Sequence, residues 1–108
     1  MVEKVMKETR QDPAEIGQEY FYGDGRRKSY SKAFPHLLKA ARLGEPHCQN
    51  LVGYCYDLGL GIEQDHFLAK KWYTKAASND DLEGTFNLAV LYDTGKLGRE
   101  YPKRAFIV

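Results

Sequence analysis

The sequence predicts an all-α chain, an α/α superhelix (solenoid) of about two and a half helix-turn-helix repeats of 36 residues. Three observations predict it. Slid by 36 residues, the chain falls on itself: Gly17 meets Gly53, Tyr20 meets Tyr56, Gly23 meets Gly59 and Gly25 meets Gly61. The same slide brings Ala33 onto Ala69 and Ala40-Ala41 onto Ala76-Ala77, and a second carries Tyr56 to Tyr92, Asp57 to Asp93, Gly59 to Gly95 and Ala69 to Ala105. Between these landmarks apolar residues recur at three-and-four spacing, the pattern of a helix with one buried face.

The elements follow in order within a single domain spanning residues 1–108. Val2, Val5 and Met6 have helical spacing, so residues 1–10 are expected to form a short capping helix. The first unit covers about 12–44, with a first helix over 13–22 behind Asp12 as its cap. Its second helix is expected over 31–43, capped by Ser29 or Ser31. Pro35 lies beyond the first turn of that helix and is expected to kink or delay it, because proline lacks the donor that the interior of a helix uses.

The second unit covers about 46–80. Pro46 suits a first helical turn, where its missing N–H has no intrahelical role. Cys48, Leu51, Val52, Cys55 and Tyr56 form the apolar stripe of a helix over 46–58. Gly59-Leu60-Gly61 closes it, since glycine accepts the left-handed geometry of a helix end. Asp65 is placed to cap a second helix ending near Ser78. There Ala69, Ala76 and Ala77 allow close approach, while Trp72 and Tyr73 supply bulk. The third unit, about 81–108, has a first helix over 82–94, the turn Gly95-Lys96-Leu97-Gly98, and a second helix that barely begins over 102–108.

The run Gly59-Leu60-Gly61-Ile62-Glu63-Gln64-Asp65, followed by Ala69-Lys70-Lys71-Trp72-Tyr73-Thr74-Lys75-Ala76-Ala77, resembles the signature of Sel-1-like repeats, relatives of the tetratricopeptide solenoids. Val52-Gly53 with Tyr56 matches the helix before it. The likeness covers residues 13–106, closely in the second unit and partly in the outer two. Departures are Asp80 where the family places glycine, Ser29 in place of the capping aspartate, and Pro35.

The resemblance implies a concave groove, lined by the first helices, that receives a protein or peptide. An extended free surface is also what stacked helix pairs leave by themselves. Carrying the groove positions of the tetratricopeptide fold onto this chain gives three columns: Ala14, Asn50, Phe86; Gln18, Tyr54, Val90; and Phe21, Asp57, Asp93. Asn50 can donate to and accept from a peptide backbone, and Tyr54 adds area and a hydroxyl at low entropy cost. In the plainer reading these side chains only dress a solvated inner face.

Composition narrows the function. At 108 residues, with 43% hydrophobic and 29% charged residues, the chain is globular. A net charge of +1 gives no whole-chain field for nucleic acid or an acidic membrane. Neither is expected as a partner. No apolar run approaches the roughly 20 residues that span a bilayer. Residues 1–10 carry Glu3, Lys4, Lys7, Glu8 and Arg10 and so lack the apolar stretch of a secretion signal, and the expected location is cytoplasmic.

Catalysis finds little support. His36, His47 and His66 fall on different elements, and no paired metal-ligand spacing occurs. Cys48 and Cys55 share a helix face but stand roughly 10 Å apart, beyond disulfide reach, and are expected to be buried thiols. Gly23-Asp24-Gly25 and Gly59-Leu60-Gly61 follow helices, unlike phosphate loops, and Arg26-Arg27-Lys28 is too short for a nucleic-acid stripe. No cofactor, metal or catalytic residue is expected.

The apolar end Ala105-Phe106-Ile107-Val108 should be sticky, covered by further repeats, by a second copy in a homo-oligomer, or, less favoured, by its own fold-back. The leading reading of function is a non-catalytic interaction module, a scaffold, adaptor or inhibitor. The alternative is a binder of small molecules or cell-wall fragments with weak hydrolase activity, which the resemblance alone suggests.

Overall fold

Each helix begins where a side-chain oxygen takes up a free backbone N–H. In the computed structural model, which describes residues 12–98, five helices do so: α1 (Pro13–Tyr22), α2 (Tyr30–Arg42), α3 (Pro46–Leu58), α4 (His66–Ser78) and α5 (Leu82–Asp93). No strand occurs among the described residues. Asp12 accepts from the Ala14 N–H, Ser29 from Lys32, Asp65 from both Phe67 and Leu68, and Asp81 from Gly84. Glu45 caps α3 through a 3.1 Å bond from the His47 N–H. The expected helix over 1–10, the beginning helix over 102–108 and the apolar end of the chain lie outside the described residues.

The repeat is visible atom by atom. Gly23, Gly59 and Gly95 all take φ 73° after the first helix of their unit. The Ser29 N–H donates to the Tyr20 carbonyl at 2.9 Å, and 36 residues later the Asp65 N–H donates to the Tyr56 carbonyl at 2.8 Å. In the third unit the second turn glycine is displaced to Gly98, and Leu97 is buried in its place.

Pro35 corrects one expectation, that of a delayed start. α2 starts at Tyr30, in register with His66 of α4, and runs unbroken to Arg42. The proline stands on the exposed face, while Ala33, Phe34, Leu37, Ala40 and Ala41 are buried. Burial of such side chains contributes about 1.5–3 kcal/mol for each large one, which offsets a local penalty of about 3 kcal/mol for an interior proline.

Each helix packs on the next, and α3 also packs on α5, so the first helices of successive units lie side by side. Glycines set the closest approaches. A Cβ on Gly17 would stand 2.7 Å from Leu37 Cδ2, and one on Gly53 would stand 2.6 Å from Tyr73 Cδ1. The main core runs through α1 to α4 from Ala14 to Trp72, and a second cluster joins Ala69 and Tyr73 to Leu91 and Leu97. Tyr56 packs against both and makes the interior continuous.

Candidate functional site

The side-by-side row of α1, α3 and α5 encloses a groove of about 540 Å³. α1 contributes Phe21 and Tyr22, α3 contributes Asn50, Leu51 and Tyr54, and α5 contributes Leu82, Glu83, Phe86 and Asn87. Tyr22 is 53% exposed, Tyr54 36%, Leu82 83% and Phe86 68%, so half of the exposed large hydrophobic side chains among the described residues gather here. Beneath it Phe21 is buried and meets Tyr22, Tyr30 and Tyr54 edge-on, with centroids 5.0, 5.2 and 6.2 Å away. These contacts hold the wall in shape.

Polar groups in the groove are ordered as well. Asn87 Nδ2 donates a 2.9 Å hydrogen bond to Asn50 Oδ1, linking α5 to α3. Asn50 is only 4% exposed, so this bond locks its amide plane. At the rim Tyr22 Oη lies 3.2 Å from His47 Nε2, and His47 Nδ1 lies 3.5 Å from Glu83 Oε1. One residue of each first helix thus takes part in a row across the groove mouth. Burial, then the charge of Glu83, pushes the Tyr22 phenol above its ordinary range, the reverse of what an activated nucleophile needs.

Of the residues anticipated on this face, the fold brings Phe21, Asn50, Tyr54 and Phe86 together around the groove. Gln18, Val90 and Asp93 do not line it: Gln18 donates weakly to Cys48 Sγ at 3.8 Å, and Asp93 is exposed. Ala14 is buried in the core. Asp57 is taken up inside the chain. Its Oδ2 accepts a 3.0 Å bond from the Tyr73 hydroxyl, its Oδ1 a 3.1 Å bond from Lys96 Nζ, and His66 Nε2 lies 3.7 Å away.

Sequence reasoning missed Tyr22, Leu51, Leu82, Glu83 and Asn87. A signal did exist for Leu82, an apolar residue at the first position of a helix, and Leu51 and Asn87 share a 36-residue column next to the three that were carried over. Asn50 and Asn87 are 37 apart, one residue off the 36-residue column, whereas His47 and Glu83 meet in step with it.

The cysteines are free and buried. Burial pushes the Cys48 thiol up to about 11 and the Cys55 thiol up to about 12, away from thiolate chemistry at neutral pH. Among the described residues no group of His, Cys, Asp and Glu is arranged to hold a metal ion, and no helix is long and apolar enough to cross a membrane.

Comparison with known families finds three consecutive matches to the Sel1 repeat, over residues 14–45, 46–81 and 82–107. The chain belongs to the Sel1 repeat family. Solved Sel1 structures agree with the fold. The chain superimposes on a Sel1 repeat protein from Oxalobacter formigenes with TM-score 0.67 and 34% identity, over 70% of this chain and 57% of that one. On c5321, a protective antigen of uropathogenic Escherichia coli with the same repeat fold, the TM-score is 0.73 at 31% identity, over 82% of this chain and 20% of that one. Curated Sel1 relatives include chitin synthase regulatory factor 3 of Schizosaccharomyces pombe, 35% identical over 79% of this chain. Others are the chitin synthase regulator SKT5 of Saccharomyces cerevisiae, 43% over 50%, and HRD3B, an ERAD-associated E3 ubiquitin-protein ligase component of Arabidopsis thaliana, 34% over 74%. This Sel1 chain spans 8%, 9% and 12% of SKT5, regulatory factor 3 and HRD3B respectively. The relatives are therefore named as regulators and as a component of a ligase complex, and Sel1 repeats serve in them as parts of much longer proteins.

Proposed function

We propose that this chain is a non-catalytic protein-interaction module, a scaffold, adaptor or inhibitor, that holds a protein or peptide segment in the groove along α1, α3 and α5. The observation that carries the reading is the groove itself. It combines the exposed side chains of Tyr22, Tyr54, Leu82 and Phe86 with the ordered Asn50–Asn87 amide pair, which is the mixture of anchors and backbone-bonding groups that peptide recognition uses. The Asn50 amide nitrogen and the Asn87 carbonyl oxygen have no partner among the described residues, which leaves one donor and one acceptor for a bound backbone. Relatives named as chitin synthase regulators and as a component of a ubiquitin-protein ligase support the same class of role.

Affinity capture from the native host tests it. Recovery of one stoichiometric protein by the chain, lost with Tyr54→Ala or Phe86→Ala, is the expected result. A sugar or lactam bound tightly in the groove, with no protein recovered, would favour the small-molecule alternative and overturn this reading.

A further inference from the structure

The charges of the five helices are sorted by kind. α1, α3 and α5 carry Glu15, Glu19, Asp57, Glu83 and Asp93 and no lysine or arginine. α2 and α4 carry Lys32, Lys39, Arg42, Lys70, Lys71 and Lys75 and no carboxylate. The first-helix row thus carries only carboxylates, two of them paired by Arg26 and Lys96 of the turns, and the second-helix row carries only cations.

Between α2 and α4 lies a second cavity, of about 480 Å³, that shares no residue with the groove. Leu38, Ala41, Leu68 and Trp72 line it, and Gln49 and Tyr56 of α3 line it as well. Arg42 borders it from α2, and Lys71 and Lys75 border it from α4. None of these three cations makes an ion pair among the described residues. The carboxylate nearest in sequence to the Gly44 wall, Glu45, is turned to the N–H of His47 on α3.

Position in the helices explains part of this and not all. Arg42 and Lys75 stand in last turns, where the helix dipole favours a cation. Lys71 does not. It stands one turn from Lys75, a like-charge spacing that costs stability, and both ammonium groups lie over the Trp72 ring, 6.0 and 5.5 Å from its centre. Arg42, Lys71 and Lys75 are exposed and solvated, and no carboxylate among the described residues pairs with them, so an anion at the cavity mouth would meet three cations free to turn to it.

We propose that this cavity is a second binding site, distinct from the groove, which takes an acidic segment of a partner protein in which carboxylates flank an apolar side chain. Arg42 offers a planar fork suited to one carboxylate, and Lys71 with Lys75 offers point charges for another. Leu38 and Leu68, the half-buried apolar residues of the lining, receive the intervening side chain at the edge of Trp72. A nucleic acid fits less well, because Trp72 is 7% exposed and offers no face for a base, and three cations round a single cavity do not follow a phosphate backbone.

The test uses the chain with a fluorescein-labelled peptide of alternating Glu and Leu, read by anisotropy at low salt and by emission of Trp72, the single tryptophan. Saturable binding that shifts Trp72 emission and weakens with added salt is expected. The variant K71Q/K75Q should weaken it by about tenfold or more. The variant R27Q/K28Q, which removes the same charge from the loop after α1, should change it by less than about twofold. The proposal fails if the peptide does not bind, if both variants lose affinity equally, or if a labelled single-stranded oligonucleotide binds more tightly than the peptide.

Discussion

Gly53 of α3 lies against the ring of Tyr73 of α4 so closely that a Cβ there would stand 2.6 Å from Cδ1 and 2.8 Å from Cε1. Tyr73 is fully buried and its hydroxyl is bonded to Asp57, so the ring has nowhere to move. Gly53→Ala is therefore expected to lower stability by about 1–3 kcal/mol through overpacking. Helix propensity alone predicts the opposite sign, a gain of about 0.5–1 kcal/mol. A urea titration decides between them, and an unchanged or raised midpoint would contradict the packing described.

Asp80 is the one non-glycine residue with positive φ among the described residues, at 66°, and it stands where the preceding unit has Gly44 at 98°. Aspartate tolerates this left-handed geometry at a cost that glycine avoids, a difference of roughly 1 kcal/mol. Asp80→Gly should raise the thermal midpoint by a few degrees, read by circular dichroism. A fall would mean that the unfolded chain's added freedom outweighs the relieved strain.

The buried carboxylate of Asp57 joins three parts of the stack: α3 itself, Tyr73 of α4, and Lys96 in the turn after α5. Tyr73→Phe leaves Oδ2 without its donor and is expected to cost about 1–3 kcal/mol. Lys96→Met removes a pair whose lysine is a third exposed and should cost less, about 1 kcal/mol or under. Equal losses for the two variants would show that the ammonium matters as much as the phenol.

The thiols make alkaline stability informative. Both have ordinary values of 9.0 and are raised in the folded chain, Cys48 to about 11 and Cys55 to about 12. Above pH 9 the unfolded chain therefore holds fewer protons than the folded one, and stability falls as pH rises. The contribution is complete below about pH 9 and lost by pH 11–12. Denaturation midpoints measured across that window should fall less steeply in C48A/C55A than in the wild-type chain. At neutral pH, a thiol reagent should titrate neither cysteine in the native chain and both in denaturant.

Phe86 and Tyr54 contribute surface to the groove and little to the core, so truncation should separate binding from folding. Phe86→Ala is expected to change stability by about 0.5 kcal/mol or less and to weaken partner binding by about 1–2 kcal/mol. Calorimetry with a captured partner, beside a thermal melt, measures both.

Much of this was legible in one dimension. The 36-residue period, the turn glycines and the capping Asp12 and Asp65 each follow from a local rule, and α1, α3 and α4 fall where those rules place them. Local rules failed at Pro35, where five buried side chains of α2 outweigh one missing hydrogen bond.

The side-chain surroundings were another matter. Phe21 and Asp57 occupy equivalent places in successive units, yet Phe21 walls the groove while Asp57 is drawn inward by Tyr73 and Lys96, and periodicity treats the two alike. Asn87 meets Asn50 one residue out of step with the repeat. Sequence by itself determined where helices start, stop and present apolar faces, because those choices rest on hydrogen bonds and spacing within a few residues. Only the tertiary structure decided which exposed groups converge and which charges are consumed, because both depend on partners far away in the chain, as Asn50 with Asn87 and Asp57 with Tyr73 and Lys96 show.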